Sequence, residues 1–194
     1  MTDEGERVLV VDDDEALTDV YAAWLSERYD VETATNGEAA LNNLGEDVDV
    51  VLLDRRMPGL SGEEVLDRIR RAEYDCRVAM VTGVRPNTDV VELGFDEYLI
   101  KPVDQNELQE VVDKLLDRLA YDDHLQELYA LTSKRALLEA EAEQGNVELG
   151  DAYEELVERI QELRERIDST MNDFGHDDFR VAFRDLTGKN TGSD

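Results

Sequence analysis

The chain has 194 residues, 41% of them hydrophobic, enough for one ordinary domain with its own core and a smaller one beside it. Its 49 acidic residues against 20 basic ones leave a net charge of −29, which argues against a generally basic nucleic-acid surface and against docking on anionic lipid. A single cysteine, Cys76, excludes an intramolecular disulfide framework, no CxxC or Cys/His cluster offers zinc a site, and no apolar run is long enough to span a bilayer, so a cytoplasmic protein without membrane contact is expected.

From Arg7 to about Arg118 short β-branched runs alternate with helical patterns, the signature of an α/β fold with a parallel sheet and crossover helices. The first run, Val8 to Val11, is followed by a helix on which Leu17, Val20, Tyr21, Trp24 and Leu25 recur at helical spacing. A second run, Val31 to Ala34, leads to the Asn36-Gly37 break and a helix with Ala40, Leu41 and Leu44. After the third run, Val48 to Leu53, Ser61 and Glu64 form a capping-box pattern ahead of Val65 and Ile69. The fourth run, Arg77 to Thr82, leaves space for only a short helix between Pro86 and Gly94, and Cys76 is expected to pack beside this strand without redox chemistry. The fifth, Glu97 to Ile100, precedes a helix opened by Asp104 with Glu107 and carrying Leu108, Val111, Val112, Leu115 and Leu119.

Beyond Leu119 the strands stop and the pattern is helical throughout. Leu125, Leu128, Leu131, Leu137 and Leu138 mark one segment ending before Gly145-Asn146, into which the preceding helix is expected to continue with little interruption, Asp122-Asp123 being the place where a hinge could fall. The next opens near Asp151 and spaces Tyr153, Leu156, Ile160, Leu163 and Ile167 by three and four, a heptad seam that suits an all-α hairpin or coiled coil. Phe179, Ala182, Phe183 and Leu186 suggest a short terminal helix before a disordered end. The expected division is therefore 1–118, 119–174 and 175–194.

Charged groups gather at the ends of the strand runs. Asp12, Asp13 and Asp14 follow the first run directly and Asp54 follows the third, so neighbouring strands would bring carboxylates together at one sheet edge, where open α/β sheets bind ligands. Such a cluster repels itself and calls for a hard divalent cation, for which all-oxygen ligands suit Mg²⁺. Thr82 ends the fourth run and Lys101 follows the fifth, adding a hydroxyl and an ammonium at the same edge. Asp13 or Asp14 is expected to cap the first helix.

Five pieces in order now match a known pattern: the acidic pair after the first strand, Asp54 within Leu53-Asp54-Arg55-Arg56-Met57-Pro58, Gly62, Thr82-Gly83, and Tyr98 three residues before Lys101-Pro102. The first 118 residues resemble the receiver domain of two-component response regulators, a flavodoxin-like, doubly wound, five-stranded parallel sheet. The resemblance implies that Asp54 is the phosphoacceptor of a sensor histidine kinase, a self-phosphorylating signalling protein and not an enzyme acting on other substrates. It implies that Asp13, Asp54 and the backbone carbonyl of Arg56 ligate Mg²⁺, with Asp12 acting largely through water. Thr82 and Lys101 would neutralise phosphoryl oxygens, since phosphoryl transfer needs positioning and charge neutralisation above acid or base chemistry. Thr82 and Tyr98 would be the switch pair, and Lys101-Pro102 resembles the family's cis peptide. Arg56 stands beside the site either as a gate against water or as a solvated side chain.

The stretch from Tyr129 to Glu139 and the heptads after it resemble the HalX domain that follows receivers in halophilic archaea. The acidic coat and the 16 Arg against 4 Lys fit that setting, because molar salt cuts the Debye length to about 3 Å and screens self-repulsion. Two outputs are open for this region: a partner-docking or homodimerising hairpin, or a DNA-binding transcriptional regulator. Residues 119–194 hold 8 basic and 19 acidic residues, and the candidate basic cluster, Lys134-Arg135 with Arg159, Arg164 and Arg166, is interleaved with Glu. That balance favours a protein target over DNA.

Overall fold

Strands buried on both faces read as continuous apolar runs, as do Arg7–Val11 (β1), Val50–Leu53 (β3) and Arg77–Thr82 (β4), which pair with the half-exposed edge strands Asp30–Ala34 (β2) and Glu97–Ile100 (β5) as one wholly parallel sheet. A computed structural model describes residues 5–86 and 93–174 of the chain. The short helix expected after Pro86 falls largely outside the described residues, as do the terminal helix at Phe179–Leu186 and the tail beyond it. The strand order β2-β1-β3-β4-β5 makes the sheet doubly wound, with its switch point between β1 and β3.

Alternate strand residues feed two cores. Val8, Val10, Val50, Leu52, Val81 and Leu99 meet Tyr21 and Leu25 of helix α1 (Glu15–Leu25) and Leu108, Val112 and Leu115 of helix α4 (Gln105–Glu143). Leu9, Val11, Val51, Leu53, Val78 and Met80 meet Ala40 of helix α2 (Gly37–Asn43) and Val65, Leu66 and Ile69 of helix α3 (Gly62–Arg71). Cys76 joins this second core, and burial raises its thiol pKa to about 11.

The helix starts follow their capping chemistry. Asn36 caps α2, and Ser61 with Glu64 forms the reciprocal capping box of α3. The cap of α1 is Asp14 and not Asp13: its carboxylate accepts from the backbone N–H of Ala16 and Leu17. Two sequence expectations need adjusting. Val48 lies ahead of β3 in a turn closed on Gly45, so the apolar run outlasts the strand. Val20 is 40% exposed, off the buried face of α1. The expected continuation of the helix opened by Asp104 into the leucine-bearing segment holds, since α4 is helical throughout from Gln105 to Glu143 with no hinge at Asp122-Asp123.

The chain divides into two compact units, Met1–Leu119 and Ala120–Asp194. In the second, α4 from Ala120 onward and α5 (Asp151–Phe174) form an antiparallel hairpin. Gly145 takes the left-handed conformation (φ 76°) that ends the first helix, and its N–H and that of Asn146 close back on Ala142 and Glu141. The Tyr153 hydroxyl donates to Glu139 at 2.6 Å and the Arg159 guanidinium grips Glu127 through two bonds of 2.9 Å, fixing the register of the two helices. Ile160, Leu163 and Ile167 of the heptad seam are buried. No described helix is long and apolar enough to cross a membrane.

Candidate functional site

The register of the sheet assembles the site. Val11 pairs with Leu53 across β1 and β3, so the residues that follow, Asp12 and Asp54, leave the sheet side by side at its carboxyl edge. Thr82, at the end of β4, pairs with Ile100, and Lys101 follows at once. Asp12, Asp54, Thr82 and Lys101, four of the residues that strand-end spacing nominated, therefore share one edge of the sheet.

Within it, the Lys101 ammonium stands between the two carboxylates, 2.5 Å from Asp12 Oδ2 and 2.8 Å from Asp54 Oδ1. Asp12 and Asp54 are 3% and 5% exposed, so their charges are held out of water and that cation is what compensates them. The backbone helps: Asp12 Oδ1 accepts from Asp14 N–H at 3.0 Å and Asp54 Oδ2 from Arg56 N–H at 2.6 Å. Burial raises the pKa of Asp12, and the bonds from Lys101 and Asp14 offset only part of that rise. For Lys101 burial opposes the charge, yet the bonds to Asp12 and Asp54 outweigh it and the pKa ends above the ordinary lysine value.

Its neighbours are positioned by the backbone. Lys101 N–H donates to the Thr82 carbonyl at 2.9 Å, and the Lys101-Pro102 peptide is cis. Thr82 is buried, and its hydroxyl oxygen accepts from Val84 N–H at 3.4 Å. Val84 in turn accepts the Tyr98 hydroxyl on its carbonyl at 2.7 Å, so both residues of the expected switch pair meet at Val84. Gly62 is needed at the start of α3 because any Cβ there would overlap the Asp54 carbonyl. On the α1 side, Lys101 and Pro102 line an apolar depression with Leu17, Val20, Tyr21 and Trp24.

Asp13 lies exposed beside this cluster, and Arg56 is also exposed, a solvated side chain whose N–H serves Asp54. Among the described residues no three His, Cys, Asp or Glu side chains are grouped closely enough to enclose a metal ion. The oxygen-only donors of Asp12, Asp13 and Asp54 nevertheless have the chemistry of a hard-cation site, and neither Cys nor His is among them. Sequence reasoning missed Arg55 and Glu63, which form an ion pair at 2.5 Å next to Asp54. Nothing in the sequence distinguishes Arg55 from Arg56; only the turn after β3 does.

Comparisons with known proteins identify two families along the chain. A family model described as the response regulator receiver domain matches residues 8–113, and one described as the HalX domain matches residues 117–183. A relative from Haloferax volcanii, provisionally described as a transcriptional regulator, is 53% identical over 69% of this chain and 23% of its own length. The CpxR homolog of Haemophilus influenzae, a transcriptional regulatory protein, is 42% identical over 59% of this chain and 52% of its own. The chain thus spans about half or less of the length of these relatives. Among solved structures, the response regulator TrrA of Thermotoga maritima, crystallised with Mg²⁺ and BeF, is 38% identical with a TM-score of 0.52, covering 57% of this chain and 99% of that one. A CheY-like receiver domain from Methanospirillum hungatei gives a TM-score of 0.56 at 29% identity, covering 60% of this chain and 98% of the other.

Proposed function

Because the chain belongs to the response regulator receiver family and carries a HalX domain behind the receiver, we propose that Asp54 is its phosphoacceptor. The observation that carries this reading is the Lys101 ammonium held between Asp12 and Asp54 at the switch point of the sheet. An Asp54 carboxylate oxygen attacks the phosphorus of a phosphohistidine on a sensor histidine kinase. The new P–O bond forms as the P–N bond breaks, and the imidazole leaves with its electron pair and takes up a proton. Lys101 and the Thr82 hydroxyl neutralise oxygens of the transferred group, in a buried setting where such charges act strongly. Asp13, Asp54 and the Arg56 carbonyl would hold Mg²⁺, with Asp12 acting through water; when bound, the ion neutralises further phosphoryl charge. The chain catalyses its own phosphorylation and hydrolysis, acts on no separate substrate, and works in the cytoplasm. Labelling by acetyl phosphate should therefore cease in EDTA and return with Mg²⁺ but not with Na⁺; labelling that persists in EDTA contradicts the metal assignment.

A phosphoryl group adds about −1.5 to −2 charges at Asp54, new acceptors toward which Thr82 can turn, and Tyr98 shares its Val84 anchor with Thr82. For the output we favour protein contacts, with a second copy of the chain as the occupant of the hairpin. Leu125, Tyr129 and Leu137 of α4 are 39%, 77% and 63% exposed, and the exposed residues among 125–140 include only one charge, Lys134. On a chain of net charge −29, this strip is where two copies meet without opposing carboxylates. Two of the candidate DNA-facing arginines are engaged elsewhere, Arg159 by Glu127 and Glu162, and Arg135 by Glu139. Light scattering in molar KCl should find a dimer that Tyr129→Glu converts to monomer. The second reading, a DNA-binding transcriptional regulator, is favoured by the description of the Haloferax relative. Chromatin immunoprecipitation from cells carrying wild type or Asp54→Asn separates them: enrichment at discrete promoters that depends on phosphorylation supports DNA binding and overturns our preference.

A further inference from the structure

Arg55 follows Asp54 in the chain, and its side chain is only 10% exposed, unusual for a long cation just past a strand. Its surroundings are unfavourable as well. The Nε donates to Glu63 Oε1 at 2.5 Å, which sets the guanidinium against the first turn of α3, where the helix dipole repels a cation. Glu63 is what makes that position tolerable. The main chain shows what the position achieves. One peptide unit joins Arg55 to Arg56, and both of its polar groups are engaged: the Arg55 carbonyl accepts from Gly62 N–H at 3.1 Å, and the Arg56 N–H donates to Asp54 Oδ2 at 2.6 Å. That peptide plane therefore bridges the start of α3, where Gly62 N–H is one of the donors without a helical partner, and the Asp54 carboxylate. The two segments are already in close contact, since a Cβ on Gly62 would lie 3.1 Å from the Arg55 Cα. The Arg55–Glu63 bond is a second tie between them.

We propose that Arg55 is a positioning residue for the cation and phosphoryl site: its bond to Glu63 clamps the Arg55-Arg56 peptide against α3, and that peptide orients Asp54 Oδ2 and carries the residue whose carbonyl would hold Mg²⁺. The inference rests on the reading of Asp13, Asp54 and the Arg56 carbonyl as the Mg²⁺ ligands. Charge alone predicts the opposite behaviour. A cation beside the site repels Mg²⁺, so losing Arg55 would tighten binding, by an amount that molar salt reduces. A clamp predicts weaker binding, because a peptide free to turn no longer holds the Asp54 carboxylate in one orientation before the ion arrives. The sign of the change separates the two.

The test titrates the full chain with Mg²⁺ by calorimetry in molar KCl and reads amide hydrogen exchange at Gly62 by NMR. Arg55→Met keeps the stem and removes the donors. It should weaken Mg²⁺ binding about tenfold, the low end for residues that orient a metal's ligands, since Glu63 is 41% exposed. It should also speed exchange at Gly62, and acetyl phosphate labelling should need correspondingly more Mg²⁺. Combining Arg55→Met with Glu63→Gln should weaken binding no further, because both cut the same tie. Glu63→Gln alone leaves Arg55 in place, should speed Gly62 exchange too, and carries the test should Arg55→Met fail to fold. Unchanged or tighter Mg²⁺ binding in folded Arg55→Met, or unchanged Gly62 exchange in the folded variants, overturns the clamp. A wild type that binds no Mg²⁺ and is labelled in EDTA overturns the metal reading instead, while Gly62 exchange still decides whether Arg55 holds the peptide.

Discussion

Asp54→Asn, incubated with acetyl phosphate and Mg²⁺ in molar KCl, should remain at background while the wild type is labelled. The substitution is nearly isosteric, and its amide oxygen still accepts from Lys101, which sits 2.8 Å from Asp54 Oδ1. It also removes one of two buried negative charges at the site, so the variant should fold and melt no earlier than wild type. What it lacks is a carboxylate nucleophile, and a loss of about a thousandfold corresponds to about 4 kcal/mol in the barrier. Equal labelling of Asp54→Asn would place the phosphoryl group elsewhere.

Lys101→Met should damage both stability and chemistry. It leaves Asp12 and Asp54 facing each other with no cation between them, a break in a largely buried network that costs about 3 kcal/mol in Mg²⁺-free buffer. It also removes a donor to the transferred group, worth about a hundredfold in labelling rate. The stability loss has a pH signature. Burial already raises the Asp12 pKa, and Lys101 restrains that rise, so its removal pushes the carboxyl further up. A folded-state pKa above the unfolded one means that the folded chain binds the proton more tightly. The contribution of the site to stability then grows as pH falls through the raised pKa and is lost as pH rises. Urea melts should accordingly show a smaller gap between Lys101→Met and wild type at pH 5 than at pH 7.5. An equal gap at both, with labelling unchanged, would remove Lys101 from the site.

Much of this was legible in the sequence because the central strands β1, β3 and β4 are buried on both faces and their polar neighbours begin where the sheet ends. Val8 to Val11 followed by Asp12, and Val50 to Leu53 followed by Asp54, mark the carboxyl edge without coordinates, and the heptads from Tyr153 mark the hairpin. What stayed hidden depends on local backbone paths. Asp13 and Asp14 are equally good caps as residues, and only the turn after β1 selects Asp14. Arg55 and Arg56 are identical in type, yet one is held by Glu63 and the other is solvated. Asp122-Asp123 offered a place for a hinge in a helix expected to continue, and α4 runs through it unbroken. The meeting of Thr82 and Tyr98 at Val84 has no sequence signal, since Val84 contributes only backbone atoms.

The position of the phosphoryl group itself is the most direct test. Wild type labelled with acetyl phosphate and Mg²⁺, then reduced with borohydride, converts an aspartyl phosphate to homoserine that peptide mass spectrometry can locate. Homoserine is expected at position 54 and at no other acidic residue. Homoserine at position 12 or 13, or label that survives on a peptide lacking position 54, would contradict it.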